Sequence, residues 1–151
     1  MSPTFLYDDG GRAAAGYSGT TGDCVVRSVA IATGKPYQEV YNEINAIGKT
    51  ERRSKNKTRK SSARTGVYKP TIRKYMERLG WTWVPTMKIG SGCKVHLKAD
   101  ELPKGRLVVC VSRHSVAVID GVIRDLSDCS RNGTRCVYGY YHKPEPSYVQ
   151  P

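Results

Sequence analysis

Arg113-His114-Ser115-Val116-Ala117-Val118-Ile119-Asp120-Gly121-Val122-Ile123-Arg124-Asp125 is the stretch whose reading decides the fold. Asp-Gly is among the strongest two-residue hairpin signals, because both loop positions need positive φ. It divides two short apolar runs, Ser115–Ile119 and Val122–Leu126. A two-residue loop fixes the register, so Ile119 faces Val122, Val116 faces Asp125 and His114 faces Ser127. Side chains opposite one another share a face of the sheet. His114, Val116, Asp125 and Ser127 therefore project to one side, with Asp125 the diagonal neighbour of His114. A carboxylate there fixes the tautomer of an imidazole and stabilises its protonated form.

Outward from the hairpin, Leu107–Val111 is a continuous apolar run suited to a central strand. Cys136–Tyr141 follows a second turn pair, Asn132-Gly133, and reads as a last strand, while Trp81–Pro85 alternates like an extended segment. Before residue 80 the period is helical. Cys24–Thr33 is apolar on nearly every side, the pattern of a buried helix, with Asp23 at the N-cap position and Gly34 as the stop. A second helix starts at Pro36 and carries Tyr37, Val40, Tyr41, Ile44 and Ile47 at i, i+3, i+4, i+7 spacing, with Gly48 expected to end it. A third runs from about Pro70 to Leu79. Residues 1–22 read as an extended lead-in, and the proline-bearing tail at about 143–151 also reads as extended. Helices first and strands afterwards predict an α+β domain over 1–151, with a buried Cys-bearing helix packed on a C-terminal antiparallel sheet.

Cys24 lies in the first turn of its helix, where free N–H groups and the positive end of the dipole favour a thiolate. The same N–H groups suit a developing oxyanion. Asp23 opposes thiolate formation, and Arg27, four residues on, is placed to pair with that acid.

Gly22-Asp23-Cys24 leading into an apolar helix, followed by the His114 strand, the Asp120-Gly121 turn and the Asp125 strand, resembles the papain-like cysteine peptidase superfamily. The similarity is nearest to small bacterial and phage C39-like peptidases and covers roughly residues 20–141. It implies a cysteine hydrolase acting on an amide, peptide or isopeptide bond of a protein or peptide substrate, without a cofactor. Cys24 would be the nucleophile, His114 the base and then the acid, and Asp125 the orienting group. Members of that superfamily usually carry a glutamine just before the nucleophile as an oxyanion donor. Ser18, Thr20 and Thr21 occupy that region here, leaving those hydroxyls and the Cys24 N–H as the donor candidates. The alternative is a catalytically retired scaffold serving a phage as a binding or structural protein.

The chain holds five cysteines. An odd, scattered set argues against a disulfide framework. Cys93, His96, Cys129 and Cys136 form only a weak zinc pattern, and Cys129 and Cys136 are expected to face each other across Asn132-Gly133 without bonding. No apolar run reaches the length of a membrane span; with no recognisable signal sequence, the expectation is a cytoplasmic protein, in a bacterium or infected host or associated with a virion.

The net charge of +12 is concentrated in one place. Residues 49–74 hold eleven Lys or Arg against one acid, leaving the remainder near +2. The run at about 49–66 carries no apolar residue larger than Ala63 and reads as a flexible loop. Its Arg52, Arg53, Lys55, Lys57, Arg59 and Lys60 are the candidate contacts to nucleic acid or an acidic protein.

Overall fold

In the computed structural model, which describes residues 4–18, 22–50, 61–88 and 90–144, Asp120 and Gly121 adopt φ of 50° and 80°. Both loop residues are thus left-handed, as a two-residue hairpin with the native twist requires. This loop joins β4 (His114–Ile119) to β5 (Val122–Asp125), and the register pairs Ile119 with Val122 and Ala117 with Arg124. β3 (Arg106–Val111) pairs antiparallel with β4 across the tight Ser112-Arg113 turn. β6 (Val137–His142) adds to the other side of β3, and β2 (Thr82–Pro85) to the outer side of β6.

One strand was not expected. Phe5–Tyr7 forms β1, which runs parallel to β5 and pairs Tyr7 with Asp125. The sheet order is β1-β5-β4-β3-β6-β2, so the sheet is mixed rather than antiparallel, and the N-terminal segment is more than a lead-in. β1 covers the backbone of β5 that the hairpin leaves open. After it the chain turns back through Asx contacts, with Gly10 N–H donating to Asp8 and Gly11 N–H to Asp9.

Among the described residues there are three α-helices: α1 (Cys24–Thr33), α2 (Tyr37–Lys49) and α3 (Lys69–Arg78). Residues 25–32 of α1 are all buried. This follows from its nearly all-round apolar surface, which packs on β4 and α2. Its C-terminal carbonyls at Ile31 and Ala32 accept from Arg106 of β3, at 3.2 and 3.3 Å, a cation at the negative end of the helix. One core gathers α1, α2 and α3 against Val108, Ala117 and Tyr141. A second, built from Val109, Val111, Val116, Val118, Ile123 and Val137, is closed by Leu97 and Leu102 from the long β2–β3 connection. The sheet is therefore buried on both faces, so β3 and β4 read as continuous apolar runs.

Two expectations about the second connection change. Gly48 does not end α2 but lies inside it, and a Cβ there would collide with the Ser61 carbonyl. The glycine is needed for close approach of the returning chain, not for a helix stop. The end of the basic run is also part of the folded body. Ala63 is fully buried, its N–H donates to Asn45 at 2.9 Å, and the Ser61 hydroxyl bonds Thr71 at 3.1 Å.

Cys93 and Cys136 are joined by a disulfide, with Cα atoms 5.7 Å apart, against the expectation of none. Strand-like pairing brings them together: Val137 N–H donates to the Val95 carbonyl, and Leu97 N–H to that of Arg135, each at 2.8 Å. Cys129 and Cys136 do not face each other across a hairpin, because Asn132-Gly133 lies in a compact turn closed by Gly133 N–H and Arg135 N–H on the Ser130 carbonyl. No helix among the described residues is long and apolar enough to cross a membrane.

Gly48→Ala tests the close approach. Helix propensity alone would make alanine better by about 1 kcal/mol. Thermal unfolding should instead show a loss of about 1–3 kcal/mol, the usual cost of overpacking.

Candidate active site

α1 begins at Cys24, and Asp23 just before it makes no side-chain cap. The Asp23 carboxylate instead turns inward, fully buried, where it accepts from Arg27 and from the Tyr37 hydroxyl at 2.6 Å, with Arg12 at 3.6 Å. The pairing with Arg27 is the i, i+4 contact the sequence suggests. Its consequence is that the first-turn N–H groups of α1 are not consumed by a capping side chain.

Arg27 has a second partner. Its other terminal nitrogen lies 3.4 Å from Asp125 Oδ1, which also accepts from Leu126 N–H at 2.7 Å. Asp125 Oδ2 is 2.6 Å from His114 Nε2. The diagonal pair inferred from the hairpin register is thus in hydrogen-bond contact. On the cleft side His114 lies beside Cys24, and each shifts the other's titration. Cys24, His114 and Asp125 are therefore brought together, linked through Arg27 to a carboxylate in the core.

The electrostatics follow from these contacts. The hydrogen bond to Asp125 raises the His114 pKa most, followed by bonds to Cys129 and Cys24; against opposing burial they carry it to about 11. Burial by itself would push the Cys24 thiol up. The His114 bond, a hydrogen bond from the Ser115 backbone N–H, and the charges of His114 and Arg27 outweigh it, leaving Cys24 below its ordinary 9.0. Burial likewise works against ionised Asp125, yet the bonds from His114 and Leu126 hold its pKa low. The arrangement favours a thiolate–imidazolium pair steadied by a carboxylate, which is a nucleophile with a proton donor beside it.

Cys24 and His114 open onto a cleft of about 670 Å³. Ile72, Trp83, Tyr138 and Tyr141 supply its apolar wall, and Thr65 and Gly66 bring the end of the basic connection to its rim. Trp83 lies over Gly139, where a Cβ would strike the indole ring, so the glycine lets the ring approach the β6 backbone at the cleft.

Several predicted or overlooked residues fall elsewhere. Ser18 is exposed, its carbonyl accepts from Arg64 at 3.1 Å, and it does not line the cleft. Thr20, Thr21 and the six basic residues from Arg52 to Lys60 lie outside the described residues. Cys110 lines the cleft with Cys24, but burial drives its thiol up to about 11, which disfavours its thiolate. The four zinc candidates are not gathered: Cys93 and Cys136 are bonded, and His96 pairs with Glu101 at 3.2 Å.

Cys129, which sequence reasoning assigned no part in this site, reaches His114 from the other side. Its sulfur and the ligand atoms of His114 and Asp125 lie within 4.8 Å of one another. These three are the described residues best grouped to hold a metal. Arg27, Arg113, Arg131 and Arg135 line the same space, and their charge opposes a divalent cation. Neither Cys129 nor Ser115 N–H was legible in the sequence, since Cys129 reaches the site through a loop and Ser115 through the packing of α1 on β4. Compared with known proteins, the chain matches no family model, no curated protein and no solved structure.

Two measurements check this geometry. Thiolate absorbance should place the midpoint of Cys24 below 9.0, and His114→Ala should move it upward. Because His114 is raised from 6.5 to about 11, its contribution to stability is complete below pH 6.5 and is lost as pH rises through the folded value. Arg27→Met takes the nearest cation from the buried Asp23, leaving it Tyr37 and Arg12, and should cost about 3 kcal/mol in denaturant unfolding.

Proposed function

We propose that this protein is a cysteine hydrolase that cleaves an amide or peptide bond through a thioester on Cys24. The observation carrying this reading is that His114 bonds Asp125 through Nε2 and lines one cleft with Cys24, close enough that each shifts the other's titration. That pattern serves nucleophilic acyl transfer, in which a base must be both oriented and in contact with the nucleophile. A cysteine at the start of a buried helix, set against a His- and Asp-bearing hairpin, supports the resemblance to papain-like peptidases.

The chemistry balances with the residues present. The Cys24 thiolate attacks the carbonyl carbon, and the tetrahedral oxyanion collapses as the C–N bond breaks. The proton on His114 passes to the departing amine. Water then attacks the thioester carbonyl and gives a proton to His114, the C–S bond breaks, and the acid product leaves Cys24 as a thiolate beside an imidazolium. Asp125 holds the ring and offsets its charge throughout. For the oxyanion, the uncapped N–H groups at the start of α1 are the donors this reading assigns, with the Cys24 N–H first among them. They replace the side-chain donor that an upstream glutamine would supply.

Brief iodoacetamide treatment at neutral pH, followed by peptide mapping, tests the proposal. Cys24 should be labelled at least about tenfold faster than Cys110 or Cys129, in keeping with its greater thiolate fraction. His114→Ala should remove most of that advantage. Equal labelling of the three free thiols would falsify the reading.

A further inference from the structure

Behind the imidazole lies a second recess, of about 600 Å³. His114 and Arg113 line both it and the cleft, so the two spaces meet at the base. Its charged residues are Arg27, Arg113, Arg131 and Arg135 against the single carboxylate of Asp125. Arg27 is already committed to Asp23 and Asp125. Among the described residues, none of Arg113, Arg131 and Arg135 has a carboxylate partner. The one other acid close in sequence, Asp128, accepts from Ser130 N–H at 2.9 Å and does not line the recess.

Arg135 is held in place without being neutralised. Its terminal nitrogens donate to the carbonyls of Ser112 at 2.5 Å and Cys129 at 3.3 Å, while its buried Nε has no hydrogen-bond partner among the described residues. Backbone carbonyls fix the guanidinium but leave its full charge facing the recess. Arg113 and Arg131 sit at φ of 58° and 54°, a conformation that costs an ordinary side chain about 1 kcal/mol or more. Two strained turns thus present arginines to the recess that His114 lines.

The geometry points to an anion-binding subsite for the leaving group: the substrate carries a carboxylate on the amine side of the scissile bond. This rests on the hydrolase reading and adds a substrate class to it. The direction comes from the proton transfer. His114 must protonate the departing amine, so that half of the substrate lies on the imidazole side of Cys24. Arg113 and His114 border both the cleft and the recess, so a leaving group held beside the imidazole on the Cys24 side meets the arginines past Arg113, and arginine forks match carboxylate geometry. The carboxylate is either an Asp or Glu side chain following the scissile bond or the chain terminus itself.

Binding to the Cys24→Ala protein tests this without requiring turnover. The probes are two fluorescent peptides of the same length, differing only in Glu-Glu or Gln-Gln in the C-terminal half, each made with a free and an amidated terminus. Fluorescence anisotropy should show the Glu-Glu peptide binding about tenfold tighter, or the free terminus binding tighter than its amide; which pair differs tells side-chain from terminal carboxylate. Adding Arg113→Gln and Arg131→Gln, both at exposed positions, should erase the preference, whereas neutralising Arg52 and Arg53 should leave it. Equal binding of all four peptides, or a preference that survives the Arg113 and Arg131 changes, overturns the subsite. Iodoacetamide labelling of the protein with Cys24 intact distinguishes the two failures. Fast Cys24 labelling with no acidic preference removes the subsite alone, and slow labelling with the preference intact removes the hydrolase.

Discussion

Arg27 stands between two buried carboxylates, and the rest of the site hangs from that contact. Asp23 is fully buried, and Arg27, at 7% exposure, is nearly so. Such charges persist away from water only when paired and hydrogen-bonded. The Tyr37 hydroxyl and Arg12 complete the Asp23 side, and Asp125 receives the other end of the guanidinium. One rigid side chain therefore ties the start of α1 to the end of β5. Since His114 bonds Asp125, the same tie sets how far the imidazole stands from Cys24. The network is costly to assemble, and its return is position.

That economy explains why Asp23, adjacent to a thiol, does not defeat the thiolate. A free carboxylate next to Cys24 would raise its pKa. Here the acid faces the core and is matched by Arg27, whose charge acts on Cys24 in the favourable direction. Because the acid is used inside, the helix start remains uncapped and its N–H groups stay available. The local rule that an aspartate at this position caps the helix is broken at the point where an uncapped end serves the proposed chemistry.

What was legible in the sequence was local or register-bound. Asp120-Gly121 allows essentially one loop, so the pairing of His114 with Asp125 followed from counting residues, and the apolar run after Cys24 gave its helix boundaries. The parts that escaped are those in which distant segments meet. β1 is three residues long, too short to show a period, and it exists because β5 has an open edge. Gly48 looks like a helix stop until Ser61 passes over it. The Cys93–Cys136 bond spans 43 residues and follows from strand pairing that no spacing rule reveals, and Cys129 reaches His114 only through the fold of its loop.

Charge was misread for a related reason. The sequence concentrates its cations in residues 49–74, which leaves a remainder near +2 that looks electrostatically dull. A near-neutral sum conceals how the acids are spent. Asp8 and Asp9 close turns and Asp23 is taken into the core, while Arg113, Arg131 and Arg135 converge on one recess whose single carboxylate, Asp125, is held by His114 and Arg27. Holding three like charges together takes a firm frame. The segment carrying Arg131 and Arg135 is fixed at its far end by the Cys136 disulfide and by the Leu97 N–H bond to the Arg135 carbonyl. Arg135 in turn binds the Ser112 carbonyl, next to Arg113 in the β3–β4 turn. The covalent link that sequence reasoning discounted thus anchors the loop bearing two of the arginines, and one of those arginines fastens it to the turn that carries the third.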